Sequence, residues 1–173
     1  MNNVETLVFL GGIFILLSFL LFIVAVALYI IFSIGLYQMA KNAGLENSWL
    51  AFVPIAQMYI MGKLIKEIKV KDFVIPSAEL VLPIAFVVLI LCGGIPLIGQ
   101  LLALAGFVLY LAACYNVYLL YRPNNAVTYT IISILSVTVP FLFYMMRNDP
   151  MVHKQDENQD EKQDEKPSED VSM

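Results

Sequence analysis

From residue 6 to residue 34 the chain runs almost unbroken through apolar side chains, a stretch that no soluble fold of this size has room to bury. Between Ile13 and Phe32 only Ser18 interrupts the aliphatic and aromatic residues. A helix that is apolar on every side is a membrane span, not an amphipathic surface helix. At about 1.5 Å per residue the run exceeds roughly 40 Å, more than the roughly 30 Å hydrocarbon core of a bilayer. It is therefore expected to tilt, or to continue into the interface near Tyr37 and Gln38.

Composition agrees. Hydrophobic residues make up 60% of the 173 and charged residues 14%, against about 45–50% and 25% in soluble domains. The net charge of −4 hides a division. Residues 1–147 carry Lys41, Lys63, Lys66, Lys69, Lys71, Arg122 and Arg147 against Glu5, Glu46, Glu67, Asp72 and Glu79, a balance of +2. Residues 148–173 carry nine acids and three lysines, a balance of −6. The N-terminal run has no basic residue ahead of it and no small-residue cleavage site with suitable flanks, so it reads as a retained helix. Asn2 and the ending Val171-Ser172-Met173 carry no lipidation signal.

The hydropathy pattern predicts an all-α integral membrane protein with about four transmembrane helices, over residues 6–34, 79–92, 97–121 and 126–146. Lys41 to Ser48 is a polar connector in which Gly44 suits a helix stop and Asn47 or Ser48 an N-cap. Gly93, Gly94 and Pro96 mark a turn or kink, Arg122-Pro123-Asn124-Asn125 a stop, and Pro140 lies inside the last span. Pro76 to Glu79 reads as a helix start, with Glu79 favourably placed in the first turn. Residues 151–173 include three tandem copies of Gln-Asp-Glu-x. With so few apolar residues this acidic tail is expected to be disordered.

Residues 49–64 fit no ordinary span. About fourteen residues separate Trp49 from Gly62, too few for a comfortable crossing, and Pro54 interrupts them. Trp49 and Tyr59 favour the headgroup zone. The segment is expected to be an interfacial or re-entrant helix. Lys63, Lys66, Lys69 and Lys71 follow, the densest basic patch in the chain and a candidate contact for anionic lipid headgroups. With four spans, the positive-inside rule puts Lys41, this patch and Arg122 in the cytoplasm. Both termini, including the acidic tail, are then expected outside. A crossing by residues 49–64 would move the N-terminus inside and leave the tail where it is.

Functional chemistry is sparse. The single histidine, His153, is in the tail, and no nucleophile-elbow, zincin or phosphate-loop motif is present. No carboxylate lies deep in a span. The reading is a non-enzymatic protein with no cofactor and no metal. Cys92 and Cys114 sit in apolar runs and read as small buried residues. Gln100 and Asn116 are the polar residues of the third span. Tyr129, Ser133, Ser136 and Pro140 share one face of the fourth, a candidate helix-packing face. Tyr110, Cys114, Tyr118 and Tyr121 share a face of the third span. The implied partners are the lipid bilayer and a membrane protein, with no nucleic acid and the oligomeric state open. The expected mode of action is helix or loop contact with another membrane component, centred on Trp49, Pro54 and Tyr59. The alternatives are a small transporter or channel subunit, and a lipid-contacting membrane-remodelling protein.

The stretch from Gly35 to Gly62 carries Tyr37, Lys41, Gly44, Trp49-Leu50-Ala51-Phe52-Val53-Pro54, Tyr59 and Gly62 in order. It resembles a group of small, uncharacterised multi-span membrane proteins of clostridial and bacillus-type Gram-positive bacteria. Phe143-Tyr144-Met145-Met146-Arg147-Asn148 is similar to the end of their last span. The group often has proline where Ser48 stands and asparagine where Gln57 stands. The resemblance implies a bacterial cell membrane and carries no activity with it.

Overall fold

The computed structural model describes residues 3–71 and 73–152, and these form a helical protein apart from one small hairpin. The expectation of disorder over 151–173 falls, from residue 153 on, outside the described residues.

Helix α1 (Asn3–Asn42) has 40 residues, about 60 Å of helix. It joins the first expected span to the connector and stops at Gly44, whose φ of +78° only glycine adopts freely. The Gly44 and Leu45 N–H groups donate back to the carbonyls of Lys41 and Ala40, closing the last turn. A 3-10 turn (Ser48–Phe52) follows, then helix α2 (Pro54–Ile65). Asn47 makes no side-chain cap there, and the Ser48 hydroxyl donates backwards to the Leu45 carbonyl at 2.7 Å. Pro54 breaks the segment, as expected, rather than kinking one continuous helix. It occupies the first position of α2, where its missing N–H has no intrahelical partner to lose.

Strands β1 (Ile68–Val70) and β2 (Phe73–Ile75) form an antiparallel hairpin with Lys69 opposite Val74. Helix α3 (Ala78–Cys92) and helix α4 (Ile98–Tyr121) cover the second and third stretches that were expected to span. Among the described residues, two helices, α1 and α4, are long and apolar enough to cross a membrane.

The fourth expected span is not one helix. Helix α5 (Ala126–Ser133) and helix α6 (Val139–Met146) are eight residues each, separated by a 3-10 turn over Ser136–Thr138. Their outer ends meet: Arg122 Nε pairs with Asp149 Oδ2 at 2.6 Å, and Arg122 Nη1 donates to the Tyr129 hydroxyl at 3.0 Å. A straight helix over 126–146 would hold its ends about 30 Å apart. The segment runs into the bundle and returns, because Ser136 and Pro140 break it where the chain must reverse.

One end of the molecule therefore collects the chain's polar joints. Asn42 Nδ2 donates to the Arg147 carbonyl at 2.9 Å, and the Tyr121 hydroxyl reaches the Met39 carbonyl. The Ala78 N–H closes the base of the hairpin on the Lys66 carbonyl. Lys41, Lys63, Lys66, Lys69, Lys71, Arg122 and Arg147 all belong to this basic end. Contacts run in a ring from α1 to α2, α3, α4 and α5, then through the 3-10 turn over Ser136–Thr138 to α6 and back to α1. The core fills its upper half with Leu36, Met39, Ile60, Met61, Val117, Tyr118 and Phe143. Two glycines allow backbones of separate helices to approach closely. A Cβ on Gly35 would come within 2.8 Å of the Phe143 backbone, and one on Gly62 would collide with the Ala78 carbonyl.

Candidate functional site

The candidate residues fall into three places. The first is the segment over residues 48–65, which leaves the basic end after Asn42, descends along α1 and climbs back through α2. Its lowest point is tied to α1: the Tyr29 hydroxyl donates to the Phe52 carbonyl at 2.5 Å, and the Tyr37 and Phe52 rings lie 5.7 Å apart. Its inner face, Ala51, Gln57, Ile60 and Met61, is buried. Its outer face presents Trp49, Phe52, Val53 and Ile55, with Trp49 60% exposed. Tyr59 is half-buried, with Lys63 Nζ 5.3 Å from its ring centroid. Hydrogen bonding to the Tyr59 hydroxyl holds the Lys63 ammonium above its ordinary pKa.

Most motif residues of this stretch have a packing role. Gly35 and Gly62 allow helix contacts, Gly44 ends α1, Tyr37 stacks on Phe52, and Pro54 starts α2. Trp49 has no ring partner and no hydrogen bond among the described residues, and most of its surface is open.

The second place is the lysine hairpin. Its inner strand is fixed by Asn116, whose Oδ1 accepts from the Lys69 N–H at 3.0 Å while its Nδ2 donates to the Lys69 carbonyl at 3.1 Å. Nδ2 also donates to the Ala112 carbonyl at 2.8 Å. The amide thus pairs with β1 as a neighbouring strand would. Ile68 is buried beneath it. Lys66, Lys69, Lys71, Val70, Phe73 and Val74 point outward, with Phe73 66% exposed. Lys69 also pairs with Glu67 at 2.5 Å, an exposed ion pair of small energetic weight.

The third place is the face expected on a continuous fourth helix. The break at 134–138 divides it. Ser133 is fully buried; its hydroxyl donates to the Tyr129 carbonyl at 2.7 Å and accepts from the Tyr118 hydroxyl at 2.7 Å. The Tyr129 hydroxyl accepts from Arg122. Asp149 and then Tyr129 raise the Arg122 guanidinium above its usual pKa, through the hydrogen bonds they accept. Ser136 and Pro140 lie lower, on the wall of a cavity of about 730 Å³.

That cavity was not legible in the sequence. Its wall takes in Tyr29 and Phe32 of α1, Pro54 and Gln57 of α2, Leu89 of α3 and Tyr110 of α4. Gln57 donates to Ser33 Oγ at 2.7 Å, and Ser33 donates to the Tyr29 carbonyl at 2.8 Å. Gln57, a lone amide among the apolar residues from Trp49 to Gly62, was the one available signal. Among the described residues, no group of three or more His, Cys, Asp or Glu side chains is placed to hold a metal ion. Cys114 is buried and Cys92 half-buried, both free thiols.

No protein-family model matches the chain, and neither do any curated protein and any solved structure.

Proposed function

We propose that this chain is a non-enzymatic integral membrane protein that acts by contact with another membrane component through the ridge Trp49, Phe52, Val53 and Ile55. The observation that carries the reading is the exposure of Trp49 in a segment whose other distinctive residues are used for packing. Large exposed aromatics flanked by apolar side chains are the usual anchors of protein contacts. The likeness to the Gram-positive group fits this reading, because the tryptophan belongs to the quoted motif.

In the bilayer, α1 and α4 cross, and the shorter α3, completed by the turn at residues 93–97, carries the chain back between them. Residues 49–64 and 126–146 enter from the basic face and return to it. Leu80 to Tyr121 contains no charged residue, and neither does Pro123 to Met146. The positive-inside rule then puts the basic end in the cytoplasm. Because Asp149 is ion-paired at that end, the start of the tail moves to the cytoplasmic side, reversing the orientation expected from four spans.

The test is a pair of substitutions in full-length protein purified in mild detergent. Trp49→Ala should abolish recovery of the partner with the melting temperature almost unmoved. Pro54→Ala should lower stability and recovery together. Equal loss of stability in both variants would reduce the segment to scaffold.

A second reading, contact with anionic lipid, is favoured by the outward Lys66, Lys69 and Lys71 beside Val70, Phe73 and Val74. Basic residues near a membrane surface contribute about 1 kcal/mol each. A transporter or channel subunit has no comparable support, since the hydroxyls of Tyr129 and Ser133 are spent inside the bundle.

A further inference from the structure

The two re-entrant elements stop part-way through the bundle. Residues Phe52 to Pro54 mark the lowest point of one and residues 134–138 that of the other. Below them the space between α1 and the α3–α4 pair is left open, and this is the cavity of about 730 Å³. That volume is within the roughly 300–1,000 Å³ of sites that enclose a small ligand. Phe32, Phe86, Leu89, Phe107 and Pro140 supply most of its character, and none of its lining residues is charged.

Gln57 breaks the apolar pattern. It is only 5% exposed, and its Nε2 is engaged by Ser33. Its carbonyl oxygen accepts no hydrogen bond from any described residue, yet it is not sealed inside the protein. The chain Tyr29 carbonyl, Ser33 hydroxyl, Gln57 amide fixes the side chain in place. A polar acceptor held on an apolar wall that opens towards lipid is costly unless something donates to it.

The geometry points to an uncharged lipid alcohol as the ligand of this cavity: a molecule with one free hydroxyl on one or two long hydrocarbon chains. The hydroxyl donates to the Gln57 carbonyl oxygen, and the hydrocarbon fills the apolar space below. A charged headgroup is disfavoured, since no lining side chain offers a counter-charge. A plain hydrocarbon leaves the Gln57 oxygen unpaired, which is the kind of loss that makes polar sites selective. The chain enters from the bilayer, because α1 before Ala25 belongs neither to the buried core nor to the cavity wall. Ser33 and Tyr29 are positioning residues for Gln57. The site does not depend on the Trp49 ridge, which contributes nothing to the wall, so Trp49→Ala leaves ligand uptake unchanged whatever becomes of partner recovery.

The experiment uses the full chain in phosphatidylcholine nanodiscs with a photoreactive dioleoylglycerol as probe. Unlabelled dioleoylglycerol and its 3-O-methyl ether serve as competitors. Adducts should map to peptides containing 54–58 and 103–110, and the ether should compete at least about fivefold more weakly, the loss of one neutral hydrogen bond. Gln57→Leu should remove that difference while keeping the adducts. Ala103→Trp, at an exposed position on the rim of the wall, should reduce labelling at both peptides without touching the buried core. It decides the matter even if Gln57→Leu fails to fold. Equal competition by alcohol and ether in the wild type would overturn the proposal, as would adducts spread over the free half of α1 or labelling indifferent to Ala103→Trp.

Discussion

Arg122 and Asp149 stand at the two ends of a segment long and apolar enough to be read as a membrane span, and they touch. Their 2.6 Å ion pair, with Tyr129 as a second acceptor for the guanidinium, closes α5 and α6 into a hairpin. Hydropathy alone cannot distinguish a 21-residue crossing from two eight-residue helices that enter and return.

Cysteines introduced at Asn124 and Asn148 should therefore react with an impermeant thiol reagent from the same side of sealed vesicles. The background is a variant with Cys92 and Cys114 replaced by alanine. Labelling from opposite sides would restore a continuous fourth span and detach Arg122 from Asp149.

Asn116 holds the lysine hairpin to α4 with two hydrogen bonds to one residue. Asn116→Leu leaves the Lys69 N–H and carbonyl facing an apolar side chain. An unsatisfied buried polar group costs about 1–3 kcal/mol. The variant should melt earlier in detergent, and hydrogen exchange at residues 68–70 should rise while exchange in the middle of α4 holds. Unchanged exchange in the hairpin would mean that β1 is fixed by its own pairing.

What the sequence disclosed and what it hid divide along physical lines. The apolar run before Tyr37 and the short, proline-interrupted segment after Trp49 are local signals of length and composition; the first lies in the long apolar helix α1 and the second in a 3-10 turn followed by the short helix α2. Gly44 as the stop of α1 was equally local. The hairpin is masked in the sequence by the density of lysines at 66, 69 and 71, although Ile68-Lys69-Val70-Lys71 alternates with a period of two, as a half-buried strand does. The break at 134–138 was hidden by uniform apolarity, with Ser136 and Pro140 as its only marks. The cavity and the Arg122–Asp149 closure arise from contacts between remote segments, and no window of sequence contains them.

Gly62 and Gly12 make a controlled comparison. A Cβ at Gly62 meets the Ala78 carbonyl, while one at Gly12 meets nothing within 4 Å. Gly62→Ala must push α2 and α3 apart and should cost about 1–3 kcal/mol, typical of overpacking. Gly12→Ala should be neutral or slightly stabilising, since alanine favours a helix by roughly 1 kcal/mol over glycine. Thermal unfolding in detergent checks both. A tolerated Gly62→Ala would mean that the α2–α3 crossing is looser than drawn.

Replacing Lys66, Lys69 and Lys71 together with glutamine should weaken association of the reconstituted protein with vesicles rich in phosphatidylglycerol. Phosphatidylcholine vesicles should show no change. The difference should shrink as salt is raised, because exposed charges are screened over about 10 Å at 0.1 M. A salt-independent effect would assign the contact to Phe73 and its apolar neighbours instead.

The contact role of the Trp49 ridge is tested most directly by site-specific photocrosslinking in intact membranes. A photoreactive amino acid is placed in turn at positions 49, 52 and 55, and at the equally exposed apolar positions Leu7 and Ile131. One discrete protein adduct, obtained at the three ridge positions and absent at Leu7 and Ile131, is the expected result. Adducts of the same pattern at all five positions, or none at the ridge, would contradict the reading of Trp49 as the point of contact.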